Sequence, residues 1–189
     1  METYKIIVER GRKIKVIEGK KGSSLLDTLI RNDVYISAAC GGKGRCGKCK
    51  VRMAAGATKA TEADLQFFDK GQIAAGWRLA CLSYPENNCR VSVDTEDESE
   101  FEVVSDYRNI RTDAAEKEEF YDIGIDIGTT TIAVNLIGGT SKSVRNTYTA
   151  INRQRAYGAD VISRIQAANE GKLEELKTSI RKEDRKSVV

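Results

Sequence analysis

The chain has no histidine, which removes the usual general base near neutral pH, the usual proton shuttle and the commonest nitrogen ligand to metals. A metal here has to be held by thiolate or carboxylate. Proline and tryptophan each occur once among the 189 residues, so a proline-rich spacer is excluded. No segment approaches the roughly 20 consecutive apolar residues that a membrane-spanning helix needs. The opening METYKIIVERGRKIKVIEG also lacks the apolar stretch and small-residue cleavage site of a signal peptide. These absences predict a cytoplasmic protein that engages neither membrane nor nucleic acid.

Against the absences stand five cysteines. Without an export signal they argue for metal binding or redox chemistry rather than a disulfide framework. The formal charge of +3 hides a strong asymmetry: residues 1–93 carry a net +8, residues 94–120 a net −8, and residues 121–189 a net +3.

TYKIIVE and KIKVI, joined by Arg10-Gly11-Arg12, are β-branched runs around a glycine-containing turn and predict a hairpin. Ser24 precedes an apolar stripe of Leu25, Leu26, Leu29 and Ile30, the pattern of a capped helix ending near Asn32. A strand over Lys48 to Met53, a helix capped at Thr61 and running through Phe68, and a closing strand from Arg90 to Asp94 complete a small α+β domain over residues 1–94. Residues 95–120, rich in acid, read as a linker with room for one docked strand around Phe101, Val103 and Val104. From Tyr121, YDIGIDIG and TTTIAVNLIGG read as two strands about a Gly-Thr-Thr-Thr turn. A third strand follows over Ser143 to Ala150. Val161, Ile162, Ile165 and Ala168 then share one helical face, Gly171 is placed to end that helix, and another runs from Leu173 to about Ile180. Two helices on a sheet edge close little core, so residues 121–189 are expected to be the opening of a larger domain.

The chemistry concentrates at Cys40-x5-Cys46-x2-Cys49 with Cys81 far downstream. Four of the seven residues between the first three cysteines are glycine. Thiolates on one short loop can wrap two irons only if the backbone takes unusual φ values and brings N–H groups close to the sulfurs, which glycine permits. A four-cysteine zinc site is the alternative, but it usually pairs two CxxC knuckles, and there is one here. Cys89 has no place in the ligand set and reads as a strand cysteine. Lys43, Arg45, Lys48 and Lys50 crowd the loop, either as solvated charges or as a docking face for an acidic partner. In the second half, Asp126 stands on a strand end just before Gly128, Thr129, Thr130 and Thr131. Turn N–H and hydroxyl groups suit phosphate oxygens, and the aspartate suits Mg²⁺ held through water; an ordinary hairpin accounts for the same residues.

The x5 arm departs by one residue from the plant-type spacing and resembles the adrenodoxin-like [2Fe-2S] ferredoxins, which implies a β-grasp fold over roughly residues 3–95. The segment around Gly128 resembles the first phosphate motif of the superfamily of actin, sugar kinases and ATP-dependent heat-shock chaperones, whose fold is an α/β ribonuclease H-like ATPase. With an N-terminal ferredoxin, and with NRQRAYGADVISRI (Asn152 to Ile165), the whole resembles reductive activators of corrinoid proteins. That resemblance implies an iron-sulfur electron-transfer protein in an ATP-dependent system that reduces Co(II) corrinoid to Co(I) on a methyltransferase corrinoid protein. Cys40, Cys46, Cys49 and Cys81 would hold the [2Fe-2S] cluster. Asp126, Gly128, Thr129, Thr130 and Thr131 would meet ATP and Mg²⁺ in the full-length protein. The implied partners are a corrinoid protein or another redox partner and an electron donor. The rival is a ferredoxin-type carrier for another oxidoreductase with no ATP-linked role.

Overall fold

The computed structural model describes residues 2–93 and 118–186. The acidic linker and its docked strand fall largely on residues 94–117, outside the described residues.

The first region is a five-stranded mixed sheet clasping one helix. Strands β1 (Thr3–Arg10) and β2 (Lys13–Lys20) form the expected hairpin, longer at its far end than the sequence suggests. Strand β3 spans Lys50–Ala55, β4 Trp77–Leu79 and β5 Cys89–Val93, in the order β2-β1-β5-β3-β4 with β1 and β5 parallel. Alternation sets the burial of β1: Tyr4, Ile6 and Val8 are buried, while the residues between them are less so, because successive side chains point to opposite faces. Those residues meet Leu25, Leu26, Leu29 and Ile30 of α1 (Leu25–Arg31). Ser24 caps that helix by accepting from the Asp27 N–H, and Asn32 stands at its C-cap. Burying a side chain such as Leu25, Leu29 or Val51, each at 0% exposure, contributes about 1.5–3 kcal/mol. The arrangement is the α+β β-grasp expected from the sequence.

Helix α2 (Glu62–Phe67) starts at Thr61 with a reciprocal capping box to Asp64, and α3 (Lys70–Ala74) starts likewise between Asp69 and Gln72. Helix α3 was not read from the sequence, being too short to carry a periodicity.

The second region is a separate antiparallel sheet, β6 (Tyr121–Ile127), β7 (Thr131–Gly138) and β8 (Val144–Ile151), in chain order. Glu118 is buried and anchors the β7–β8 turn, accepting from the Ser141 hydroxyl and the Thr140 N–H while pairing with Arg145. After β8 come a 3-10 turn at Arg153–Ala156, α4 (Val161–Ala167), a wide turn over Ala168–Lys172 and α5 (Leu173–Lys186). Gly171, at φ +93°, makes the kink between the two helices, a left-handed conformation that favours glycine. Helix α5 runs beyond Ile180 into a charged tail that the sequence left without an element. Of the apolar residues expected on one face, Ala168 packs against the core, but Val161, Ile162 and Ile165 are 55–79% exposed, and Arg164 and Ala167 are buried instead.

The two regions touch. Ala156, Tyr157, Ala167 and Leu176 join the apolar core of the first region, and Lys172 reaches Asp27 at 2.9 Å.

Candidate iron-sulfur centre

The cysteine loop leaves α1 and enters β3 without regular structure of its own. Gly41, Gly42, Gly44 and Gly47 all sit at positive φ, between +65° and +87°. The spacing is also tight: a Cβ on Gly47 would run into the Phe67 ring, and one on Gly44 would come 2.8 Å from Leu82. The loop therefore curls on itself and turns its N–H groups inward. Backbone N–H groups favour the ionised thiols: those of Arg45, Cys46 and Lys43 lower Cys40, that of Lys48 acts on Cys46, that of Ala80 on Cys49 and that of Gly44 on Cys81.

The fourth cysteine arrives by a different route. Asp64 is 1% exposed, and its Oδ1 accepts from the Leu79 N–H at 2.7 Å while its Oδ2 accepts from Thr61. The Ala80 N–H donates to the Cys49 carbonyl at 2.9 Å, and the Leu25 N–H to the Ser83 carbonyl at 2.8 Å. Arg78, also buried, ties the preceding loop through the carbonyls of Thr58, Ile73 and Trp77. Cys81 is thus held from both sides, one residue into a 3-10 turn. Asp64 and Arg78 are supports that sequence reasoning did not single out as part of the site; a buried carboxylate at the third position of a capping box was the available signal.

The thiols fall into pairs. Cys49 and Cys81 are buried, with sulfurs 3.3 Å apart, and Cys40 and Cys46, both half-buried, influence each other's ionisation. Within each pair one thiol ionises early and the other late. The hydrogen bond shared with Cys81 holds Cys49 down, to about 7, and pushes Cys81 up. Cys40 is lowered because backbone donors outweigh burial, and Cys46 is raised, chiefly by burial. Among the described residues no three histidine, cysteine or carboxylate groups converge on one metal position. Two pairs suit a binuclear [2Fe-2S] cluster ligated by four thiolates better than a single tetrahedral zinc. Inward N–H groups match the hydrogen-bond acceptors that such a cluster presents. Cys89 lies apart in β5, buried, its thiol pushed up to about 11 by burial alone.

The second set of residues is less gathered. The Gly128 N–H bonds to Thr131 O at 2.9 Å and closes the turn. Asn152, at 0% exposure, braces it: its Nδ2 donates to Gly128 O at 2.7 Å and its N–H to Thr130 O at 2.8 Å. Arg164 donates to the Thr129 and Gly158 carbonyls. A cavity of about 510 Å³ beside the turn is lined by Gly128, Thr129, Asn152 and Arg164. Asp126, Thr130 and Thr131 do not line it, so the structure does not collect all five residues around that space. Asp126 is exposed on β6, opposite Ala133.

Comparison with known proteins separates the two halves along the same line. Residues 8–86 match the 2Fe-2S iron-sulfur cluster binding domain. The first region is thus a ferredoxin domain, and its coarse role is iron-sulfur electron transfer. Residues 121–188 match the RACo middle region. Over 73 residues the chain is 36% identical to a component of the Na(+)-translocating NADH-quinone reductase of Chlamydia felis, covering 39% of this chain but 17% of that protein. Among solved structures it is similar to a reductive activator for corrinoid,iron-sulfur protein (TM-score 0.40, 21% identity, 98% of this chain and 45% of that one). A Trichomonas vaginalis ferredoxin also resembles it (TM-score 0.41, 24% identity, 47% of this chain and 99% of that one). The chain spans about a fifth of the length of the curated relatives it matches. Among the described residues no helix is long and apolar enough to cross a membrane.

Proposed function

We propose that Cys40, Cys46, Cys49 and Cys81 hold a [2Fe-2S] cluster, two thiolates to each iron, and that the chain serves an ATP-dependent system reducing Co(II) corrinoid to Co(I) on a methyltransferase corrinoid protein. When bound, such a cluster takes up one electron and releases it again. The carrying observation is the buried Cys49–Cys81 pair, with sulfurs 3.3 Å apart, beside a loop whose four glycines all sit at positive φ. Burial of Cys49 and Cys81 keeps water from one side of the site. The corrinoid assignment rests on a ferredoxin domain and a RACo middle region lying in one chain. In this reading Asp126 holds Mg²⁺ through water, and Gly128, Thr129, Thr130 and Thr131 meet phosphate oxygens. Asn152 and Arg164 keep the turn in shape from behind.

A second reading has one supporting observation: the curated relatives match over the ferredoxin part and include a component of an NADH-quinone reductase. The chain would then carry electrons for another oxidoreductase, with no ATP-linked role.

Anaerobic purification followed by absorption and EPR spectroscopy, before and after dithionite, tests the first claim. A coloured protein with a one-electron EPR signal on reduction is expected; a colourless protein holding one zinc overturns it. Reduction of a Co(II) corrinoid protein by the reduced full-length chain, with and without ATP, separates the two readings.

A further inference from the structure

If the ferredoxin domain passes electrons, as proposed above, the face through which it does so can be read from which charges the fold leaves unpaired. One side of the cysteine loop is closed by the chain's own second region. The Ala159 N–H donates to Ala39 O at 3.2 Å, next to Cys40. A Cβ on Gly41 would lie 2.8 Å from the Tyr157 carbonyl. Lys43 pairs with Glu170 at 3.1 Å, so the first of the loop's cations is neutralised within the chain.

The other side is cationic. Arg45 and Lys48, the residues before Cys46 and Cys49, are both exposed. Strand β3 continues the pattern: its burial alternates so that Lys50 and Arg52 face solvent while Val51 and Met53 face the core. Alternate strand positions are about 7 Å apart on one face, so Lys50 and Arg52 form a stripe on β3, with exposed Lys48 in the loop just before it. Among the described residues none of Arg45, Lys48, Lys50 and Arg52 is paired with a carboxylate; Lys50 alone has a neighbour, the Phe68 ring at 5.9 Å. Unpaired cations of one sign attract and orient an oppositely charged partner, raising association rates more than affinity. The half-buried thiols, Cys40 and Cys46, form the more accessible of the two pairs, and Arg45 adjoins the second of them.

We infer that Arg45, Lys48, Lys50 and Arg52 form the docking face for a redox protein that carries carboxylates around its own electron-accepting centre.

The test uses the holoprotein and two triple variants of equal net charge. One reverses the stripe (Lys48→Glu, Lys50→Glu, Arg52→Glu). The other reverses three exposed cations of the N-terminal hairpin (Arg12→Glu, Lys13→Glu, Lys20→Glu). Unchanged visible absorption of each oxidised protein establishes that fold and cluster are intact. Each reduced protein is then mixed with ferricyanide, a trianion, or hexaamminecobalt(III), a trication; either takes one electron and no proton. For the parent, the ferricyanide rate should fall roughly tenfold as salt rises from about 10 to about 200 mM, and the cobalt rate should change little or rise. The stripe variant should invert that pattern, and the hairpin variant should keep it. On a cation-exchange column the stripe variant should also elute at lower salt than the hairpin variant. Equal effects of the two variants would mean that net charge alone matters, and would overturn the inference. So would a stripe variant that loses column retention yet exchanges electrons as the parent does, because the stripe would then be a general polyanion surface. A cluster that cannot be reversibly reduced would instead sink the electron-transfer reading itself.

Discussion

Strands β1 and β6 are both runs of alternating β-branched residues, yet they end in opposite environments. On β1, Ile6 is 0% and Val8 2% exposed; on β6, Ile123, Ile125 and Ile127 are 54%, 49% and 55% exposed. The difference lies in what covers the apolar face. The buried residues of β1 and β5 share one core with those of helix α1, whereas β6 is the edge of a three-stranded sheet whose buried apolar residues, Ile132 and Val134, sit on the neighbouring strand. Alternation says that a strand has an apolar side; it does not say that the side is buried.

The sharpest way to break this comparison is to attack the ferredoxin region where it carries chemistry. Cys46→Ser should abolish or badly weaken visible absorption and the EPR signal of the reduced protein, whereas Cys89→Ser should leave both unchanged. Equal behaviour of the two would refute the ligand assignment.

Packing comes next. Leu29→Ala should destabilise the first region by about 2–5 kcal/mol, and Ile125→Ala, on the open strand, by no more than about 0.5 kcal/mol, both read by chemical denaturation. A large loss from Ile125→Ala would show that the β6 face is covered in solution.

Buried polar supports should cost less. Asp64→Asn weakens the tether to Leu79, and Asn152→Ala leaves the Gly128 carbonyl without its Nδ2 donor; each should cost about 1–3 kcal/mol. Only Asp64→Asn should also speed cluster loss, measured as bleaching on dilution into chelator.

The smallest effect concerns pH. Glu118 is lowered to about 2, from an ordinary 4.5, first by Arg145 and then by Ser141. A carboxyl depressed in the folded state contributes stability that is complete above its unfolded value and is lost as pH falls toward its folded value. Protection of the residue 138–143 amides, measured relative to their intrinsic exchange rates, should therefore fall as pH drops from about 4.5 to about 2, and Glu118→Gln should abolish that dependence. A profile that is flat in the parent would remove Glu118 as the anchor of this sheet.

Much of the ferredoxin region was legible because its signals are local. Ser24 and Thr61 cap the helices they were expected to cap, and Arg10-Gly11-Arg12 marks the hairpin turn. Cysteine spacing and glycine content likewise pointed to a loop folded around sulfur. The Asp64 tether was not legible, since a carboxylate's partner 15 residues away leaves no trace in spacing. In the second region the turn at Gly128 could be read, but its bracing by Asn152 and Arg164 could not, because those bonds go to backbone carbonyls that every residue possesses. The α4 face shows the limit plainly: periodicity grouped Val161, Ile162 and Ile165, and the fold buried Arg164.

By itself, then, the sequence determined which residues are able to ligate iron, which turns need glycine, where helices begin and which strand faces are apolar; these follow from steric and hydrogen-bonding preferences acting over a few residues. Only the tertiary structure decided that Cys49 and Cys81 come together, that the Tyr157 segment closes one side of the loop, and that Lys43 is neutralised by Glu170 while, among the described residues, Lys48, Lys50 and Arg52 meet no carboxylate. Those outcomes depend on which distant segments come to lie against each other, and packing of the whole chain sets that.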